Sequence, residues 1–432
     1  MMDRLDLGGA STSVLMAALL AVSSVVVARP ASAHDGQYSW ALFDPHTAPT
    51  AAISQPYDHS FARQWEANPP KGFPTLAPEN LQAMKAAIGR YTDIVDKGGW
   101  PVIPEGTLQS GDSGRAVTLL RARLAASGDL KDDQDGVFTM GFDSVLERAV
   151  KRFQASNGLT PTGIVDKRTI AALNVPAAVR LKQLKTNLTR IQELSRNAGK
   201  KYIVVNIPAA QIEAIEGDRV ISRHAGVVGK PDRQTPILKS SIHQLNFNPV
   251  WHLPPTVINK DLIPKARDMH KKGQDALAKY GIDVFGADGR KLDSSKINWS
   301  SINAAGLTYR QQPGPENPLG FVKINFHNTH SVYMHDTPSQ TLFGRNFRAA
   351  SSGCVRISGI ENLATWLVKD QGWDEDKVKA MKKSGERLDV TLKRPVPLIF
   401  AYITAWATED GVIQFRRDIY SKDGVGTVAA AY

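Results

Sequence analysis

Two periodicities divide the chain. Apolar residues first recur at helical spacing: Leu81, Met84, Ala87, Ile88, Tyr91 and Ile94; then Val117, Leu120 and Leu124; then Val145, Ala149, Val150 and Phe153; then Thr169, Ile170 and Leu173; and last Val179, Leu184, Leu188, Ile191 and Leu194. From Lys201 the pattern becomes that of strands, over 202–207, 211–215 and 220–228, with Glu216-Gly217-Asp218 read as a hairpin turn. Strand text returns at 322–326, 331–335, 388–392, 396–404 and 412–415. Between Trp251 and Tyr309 a helical pattern over 260–271 and Asp/Gly/Lys-rich turns interrupt it. An insertion of that size in a β domain is usually a lid over a site, structural decoration being the alternative. The pattern predicts a multidomain α+β chain: a small three-helix unit, then a mostly β domain with an inserted helical lid.

Local signals refine the boundaries. Asp143 and Asp166 stand where helix N-caps belong, Asn157-Gly158 where a helix ends, and Gly98 to Pro104 carries too many breakers for a helix. On the helix around 177–195, Arg180, Lys182, Lys185 and Arg190 read as a solvated face opposite an apolar docking stripe. The apolar run Ser13 to Ala28, about 16 residues and short for a bilayer span, precedes Ala31-Ser32-Ala33 and reads as a secretory signal cut before His34. Its weakly basic start leaves an uncleaved anchor as the alternative. With no second such run, the mature chain is expected to be soluble outside the cytoplasm, with no stable membrane insertion. The expected organisation is a signal at 1–33, an N-terminal scaffold segment at 34–105 to which no chemistry is assigned, the three-helix unit at 106–175, and a linker helix at 176–199. The β domain follows at 200–420 with its lid at 252–309, and a tail at 421–432.

Composition narrows the chemistry. At 42% hydrophobic and 22% charged, the 432 residues exclude a mostly disordered, collagen-like or polytopic membrane chain. A net charge of +11 suits any polyanion, whether nucleic acid, anionic lipid or an anionic wall polymer, and does not choose among them. The single cysteine excludes an intrachain disulfide and a Cys-rich metal site. It is an inert buried thiol, a site of intermolecular pairing, or a nucleophile.

That residue is Cys354, in Ala350-Ser351-Ser352-Gly353-Cys354-Val355-Arg356-Ile357, before the helical text Ile360, Leu363, Ala364 and Leu367. Read as a strand-to-helix junction, the segment would expose a nucleophile. A helix start and Arg356 nearby would lower the thiol's pKa. A cysteine nucleophile needs a base within reach, and His335, at the end of Val332-Tyr333-Met334-His335, is the candidate. His327 and His330 raise a metal alternative, but their spacing on a strand or hairpin leaves His335 distant, which disfavours a zinc peptidase. A papain-like amidase is disfavoured because there the cysteine usually precedes the histidine.

Two stretches carry a family resemblance. Leu108, Gly111, Gly114, Val117, Leu120, Leu124, Gly128, then Ala149-Val150, Phe153-Gln154, Asn157-Gly158-Leu159, Gly163, Asp166, Thr169 and Ala172-Leu173-Asn174 resemble the three-helix peptidoglycan-binding domain of wall enzymes. His335 with Ser351-Ser352-Gly353-Cys354-Val355-Arg356 resembles the YkuD-type L,D-transpeptidases. Ser352 stands where many members have His, a departure that matches the large Gram-negative branch with a capping insertion. The flanking Tyr309 to Pro315, Asn317-Pro318-Leu319-Gly320, His335 to Ser339 and Leu342-Phe343 agree with that branch.

The resemblance implies a periplasmic acyltransferase without metal or cofactor that acts on peptidoglycan rather than nucleic acid. Cys354 would be nucleophile and His335 general base and acid, with the backbone N–H groups of Cys354 and Gly353 as oxyanion donors. Tyr333, Ser351, Ser352 and Arg356 are candidates for substrate binding; for Arg356 a structural ion pair is an equal reading. Asp336 would face away from His335 along a continuous strand, so a backbone carbonyl is the better partner for the imidazole. The resemblance leaves open three alternatives to 3→3 cross-linking: an L,D-carboxypeptidase, attachment of an outer-membrane protein acceptor to the wall, and a non-catalytic wall anchor.

Overall fold

The structure is a computed structural model and describes residues 74–130, 141–196, 198–299, 307–408 and 411–426. The signal expected at 1–33 and most of the scaffold segment lie outside the described residues. Among the described residues no helix is long and apolar enough to cross a membrane.

The small helical unit consists of α2 (Arg115–Ser127), α3 (Ser144–Ser156) and α4 (Lys167–Leu173), and follows α1 (Asn80–Asp96). Its core joins Val117, Leu120 and Leu124 to Leu146, Ala149, Val150, Phe153 and Leu173. On α3 the buried residue at the first turn is Leu146, one position beyond Val145. The Asp143 carboxylate accepts from Leu146 N at 2.8 Å and that of Asp166 from Thr169 N at 2.8 Å, satisfying N–H groups that have no partner within the helix.

Helix α5 (Ala177–Ser195) leads out of this unit, and its basic residues are not all solvated. Arg180 is buried, stacked over Phe415 at 4.4 Å and bonded to Gln183 and Asn157. Arg190 pairs with buried Asp423 at 2.6 Å, and Lys182 donates to the Gly424 carbonyl. The C-terminal segment and the small unit wrap this face, so charges that look exposed in a helical wheel become cross-links between distant segments.

The β domain is a closed sheet. Its strands are β1 (Lys201–Asn206), β2 (Gln211–Glu216), β3 (Arg219–Gly229), β4 (Leu238–Phe247), β9 (Val322–Phe326), β10 (Met334–His335), β11 (Ala349–Ser351), β12 (Val355–Ile357) and β13 (Leu388–Ala401). They run in the order β11-β3-β12-β10-β9-β4-β13-β1-β2, and β2 also pairs with β3, which shuts the ring. Strand β1 is apolar without alternation because both its faces are covered. Ile203 and Val205 point into the barrel core, while Tyr202 and Val204 pack on α1 and α5. Helix α7 (Ile360–Val368) contributes Leu363, Ala364 and Leu367 to that barrel core.

Three strand expectations change. The segment 331–335 pairs only through Met334 and His335, since Ser331 adopts φ +56° and breaks the ladder. The runs 388–392 and 396–404 belong to one strand, β13, whose register shifts between Thr391 and Val396 and which ends at Ala401. Beyond it a small hairpin pairs β14 (Ala405–Ala407) with β15 (Ile413–Phe415). Strand β4 was not legible. A bulge between Ile242 and Gln244 spaces its buried residues Ile242 and Leu245 three apart, so the text does not alternate.

The insertion between β4 and β9 is more than helical. A continuous helical run, Pro255–Val257, a π-turn Ile258–Leu262 and α6 (Ile263–Lys271), packs on a separate sheet. That sheet has the order β5 (Trp251–His252), β8 (Thr308–Gln311), β6 (Ile282–Phe285), β7 (Lys291–Leu292). Its hydrophobic core runs from Trp251 to Leu319, wider than 252–309, and the barrel residue Tyr333 packs against it.

Candidate active site

Cys354 is not at a strand-to-helix junction. It sits in the turn between β11 and β12, and α7 begins only at Ile360, so no helix N-terminus faces the thiol. Gly353, at φ +116°, makes that turn in a conformation that disfavours any other residue.

Parallel pairing of β10 with β12 sets His335 opposite Arg356 and Met334 opposite Val355. Met334, Val355 and Ile357 enter the barrel core. The alternate residues Tyr333, His335, Cys354 and Arg356 therefore share the outer face beneath the insertion. The polar row continues across the sheet, because His335 is paired with Lys323, Lys323 with Asn246 and Asn246 with Asp389.

His335 is buried, and its Nδ1 meets the Asp336 backbone carbonyl at 2.5 Å. A carbonyl only accepts, so in that contact Nδ1 is the N–H nitrogen; the Pro318 carbonyl is a second backbone acceptor beside the ring. The Asp336 side chain is spent elsewhere, accepting from Phe321 N at 3.0 Å. Burial, reinforced by the Arg356 charge, pushes the imidazole down to about 3, so the ring is neutral.

The thiol departs from expectation. Burial pushes Cys354 above the ordinary thiol range, outweighing the opposing pull of Tyr333, Lys323 and Arg356. The site thus holds a neutral thiol and a neutral imidazole, with no hydrogen bond between them. Tyr333 is the residue they share. Its hydroxyl and backbone amide both reach the sulfur, and its ring stands edge-on to His335 with centroids 5.6 Å apart. The same hydroxyl accepts from Trp251 Nε1 of the insertion at 2.9 Å. Lys323 Nζ lies 4.5 Å from the centre of the Tyr333 ring.

The remaining candidates separate. Ser351 is buried and donates to the Cys354 carbonyl at 2.6 Å while accepting from Gly353 N at 3.1 Å, so it staples the turn rather than facing substrate. The same bond engages the Gly353 N–H and removes it as an oxyanion donor, leaving the Cys354 N–H. Ser352 accepts from Arg233 Nη1 at 2.9 Å, and Arg233 lies 3.8 Å from Asp261 in the insertion's π-turn. Sequence reasoning missed this link, since Arg233 stands in unpatterned text. Arg356 is buried with no acidic partner among the described residues, and its Nε bonds to nothing. The ion-pair reading of Arg356 is therefore not met. Among the described residues no group of three or more His, Cys, Asp or Glu could hold a metal. His327 stacks on His243 with centroids 4.2 Å apart.

The cysteine and the histidine thus lie on one face of the β domain, beneath the insertion, with the small helical unit ahead of it in the chain. Residues 200–383 match the L,D-transpeptidase catalytic domain (YkuD), and residues 113–173 a putative peptidoglycan binding domain. The chain thus carries a region that matches the YkuD-type catalytic domain, with a region that matches a peptidoglycan-binding domain ahead of it.

A "Putative L,D-transpeptidase" of Haemophilus influenzae is 32% identical over 247 residues, covering 55% of this chain and 49% of its own length. The chain matches about half the length of that relative. Among solved structures, an L,D-transpeptidase from Stackebrandtia nassauensis is 12% identical with a TM-score of 0.25, over 69% of this chain and 96% of its own. One from Xylanimonas cellulosilytica is 15% identical with a TM-score of 0.22, over 69% and 98%.

Proposed function

We propose that the protein is an L,D-transpeptidase of the periplasm that forms 3→3 cross-links between peptidoglycan stems. The observation that carries this reading is the shared face of Tyr333, His335, Cys354 and Arg356, in which one buried cation lacks an anion. Arg356 supplies two parallel N–H donors for a stem carboxylate.

Cys354 Sγ attacks the carbonyl carbon of the third residue of a tetrapeptide stem. The thiol proton passes to His335 Nε2, and the Tyr333 hydroxyl and amide stabilise the charge growing on sulfur. The Cys354 N–H donates to the tetrahedral oxyanion, a donor of a kind typically worth about 3 kcal/mol. Collapse breaks the amide bond, the His335 proton goes to the leaving nitrogen, and D-alanine departs to leave a thioester. The amine of a second stem then attacks that thioester, its proton passes through His335 to the sulfur, and the new amide links the two third residues. Because both groups rest neutral, the thiol proton moves to the imidazole together with the attack of sulfur on the carbonyl, not ahead of it.

Muropeptide mass spectrometry after incubation with tetrapeptide, with and without an added stem acceptor, tests the reading. The expected product is the 3→3 dimer, abolished by Cys354→Ala and indifferent to EDTA. Free tripeptide alone would instead assign an L,D-carboxypeptidase. Stem joined only to a lysine-bearing outer-membrane protein would assign an attachment enzyme. A dimer still formed by Cys354→Ala would overturn the mechanism, and an unreactive Cys354 with intact wall binding would leave an anchor. Thiol acylation by a carbapenem, seen as a mass increment lost in Cys354→Ser, is the companion measurement.

A further inference from the structure

A cavity of about 320 Å³ opens between the helical unit and the barrel, away from the face that holds Cys354. One wall is the Asn157 to Pro161 turn with Arg168; the other is the Ile207 to Gln211 turn, the inner part of β3 and the segment Phe343 to Ala349. The two halves are joined where Thr160 N and Oγ1 donate to Asn346 Oδ1 at 2.7 and 2.6 Å, and where Arg416 donates to the Ser156 carbonyl. Its size falls within the range of ligand sites.

The lining is one-signed. It holds Arg168, Arg223, Arg345, Arg348, Arg416 and Arg417, and no Asp or Glu. Arg223 is neutralised from behind by Glu213 at 2.8 Å. The side chains of exposed Arg168 and half-buried Arg345, one from each domain, have no hydrogen-bond or ion-pair partner among the described residues. Between them lie apolar surfaces, including Leu159, Pro208 and Phe347, the last 40% exposed. Two guanidinium groups facing a short apolar floor match a small peptide that carries carboxylates and methyl groups.

We propose that this interdomain cleft binds a carboxylate-bearing peptide stem of peptidoglycan, gripped by Arg168 and Arg345, at a position separate from the catalytic face. The proposal rests on the peptidoglycan reading above. Its lower wall, Phe343 to Ala349, runs straight into β11 and the Ser351–Cys354 turn. A stem held there tethers the polymer to the chain and raises the local concentration of its neighbouring stems at the catalytic face, an effect that polymeric substrate feels and a soluble stem does not.

The experiment compares the wild-type chain with Arg168→Ala/Arg345→Ala and with Arg168→Lys/Arg345→Lys. Affinity for isolated sacculi should fall about tenfold or more in the alanine pair, as expected for lost charged hydrogen bonds, and recover in the lysine pair. Turnover of soluble tetrapeptide should stay at the wild-type level, and sacculi whose carboxylates have been amidated should bind wild type as weakly as the alanine pair binds native sacculi. Unchanged affinity, indifference to amidation, or an equal loss on soluble tetrapeptide would each overturn the proposal. Displacement of sacculi by inorganic phosphate as readily as by tetrapeptide would also overturn it, making the cleft a small-anion pocket. The binding arms need no turnover. A chain that binds as described yet makes no cross-link overturns the catalytic reading and leaves this one standing.

Discussion

Trp251 Nε1 donates to the Tyr333 hydroxyl at 2.9 Å, and so the insertion touches the residue whose hydroxyl reaches the Cys354 sulfur. One phenol receives a donor from the cap and offers its proton to Cys354. Cap position and thiol reactivity are therefore expected to change together.

Tyr333→Phe removes that donor and keeps the ring that packs against the cap. It should lower kcat/KM by about tenfold or more, the scale of one hydrogen bond to a charged group. Trp251→Phe should cost less, and the double variant should cost less than the two single effects combined, since both act through one hydroxyl. Steady-state kinetics on tetrapeptide reads all three; full additivity would break the link.

The protonation states give a second prediction. Cys354 is raised by burial, so its thiolate fraction at neutral pH lies below that of a free thiol. Alkylation by iodoacetamide should be slow at pH 7 and climb through the alkaline range without an earlier plateau. A plateau below pH 7 would reveal a preformed thiolate–imidazolium pair.

His335 makes the same point in stability. Its folded-state value of about 3 lies below the unfolded value near 6.5, so between those limits the unfolded chain binds more protons. Stability is whole above pH 6.5 and lost as the pH falls toward 3, at no more than about 1.4 kcal/mol per unit from this one group. His335→Gln should flatten part of that slope in thermal melts. Some should remain, because buried His224 is also pushed down by burial.

Arg356→Lys keeps the charge and loses the paired donors. KM for tetrapeptide should rise more than kcat falls, and a stem with amidated carboxylates should bind wild type and variant alike. A change confined to kcat would remove Arg356 from carboxylate binding.

Gly158 has φ +70°, and a Cβ there would lie 2.7 Å from Arg416 Cδ across the domain junction. Gly158→Ala should lower stability by about 1–3 kcal/mol, read as a fall in Tm, and Arg416→Ala should relieve part of it.

Much of the local architecture was legible from the text. The cap residues Asp143 and Asp166 and the apolar faces of α2 and α4 follow from spacing that neighbours along the chain enforce. Strand β4 was not, because its bulge is imposed by partners on β9 and β13 that are far away in sequence. Arg180 misled for the same reason: its stacking on Phe415 and its bond to Asn157 unite three segments that no window contains.

At the candidate site, residue types and their order marked out a cysteine, a histidine and an arginine. That much the sequence alone determined, since a thiol, an imidazole and a guanidinium are properties of side chains. Which of them carries charge, which N–H is left to donate, and that a tyrosine stands between cap and sulfur were decided by the tertiary structure. Desolvation and hydrogen-bond satisfaction depend on what surrounds an atom in space. Around Cys354 those surroundings come from β9, β10, β12 and the insertion together.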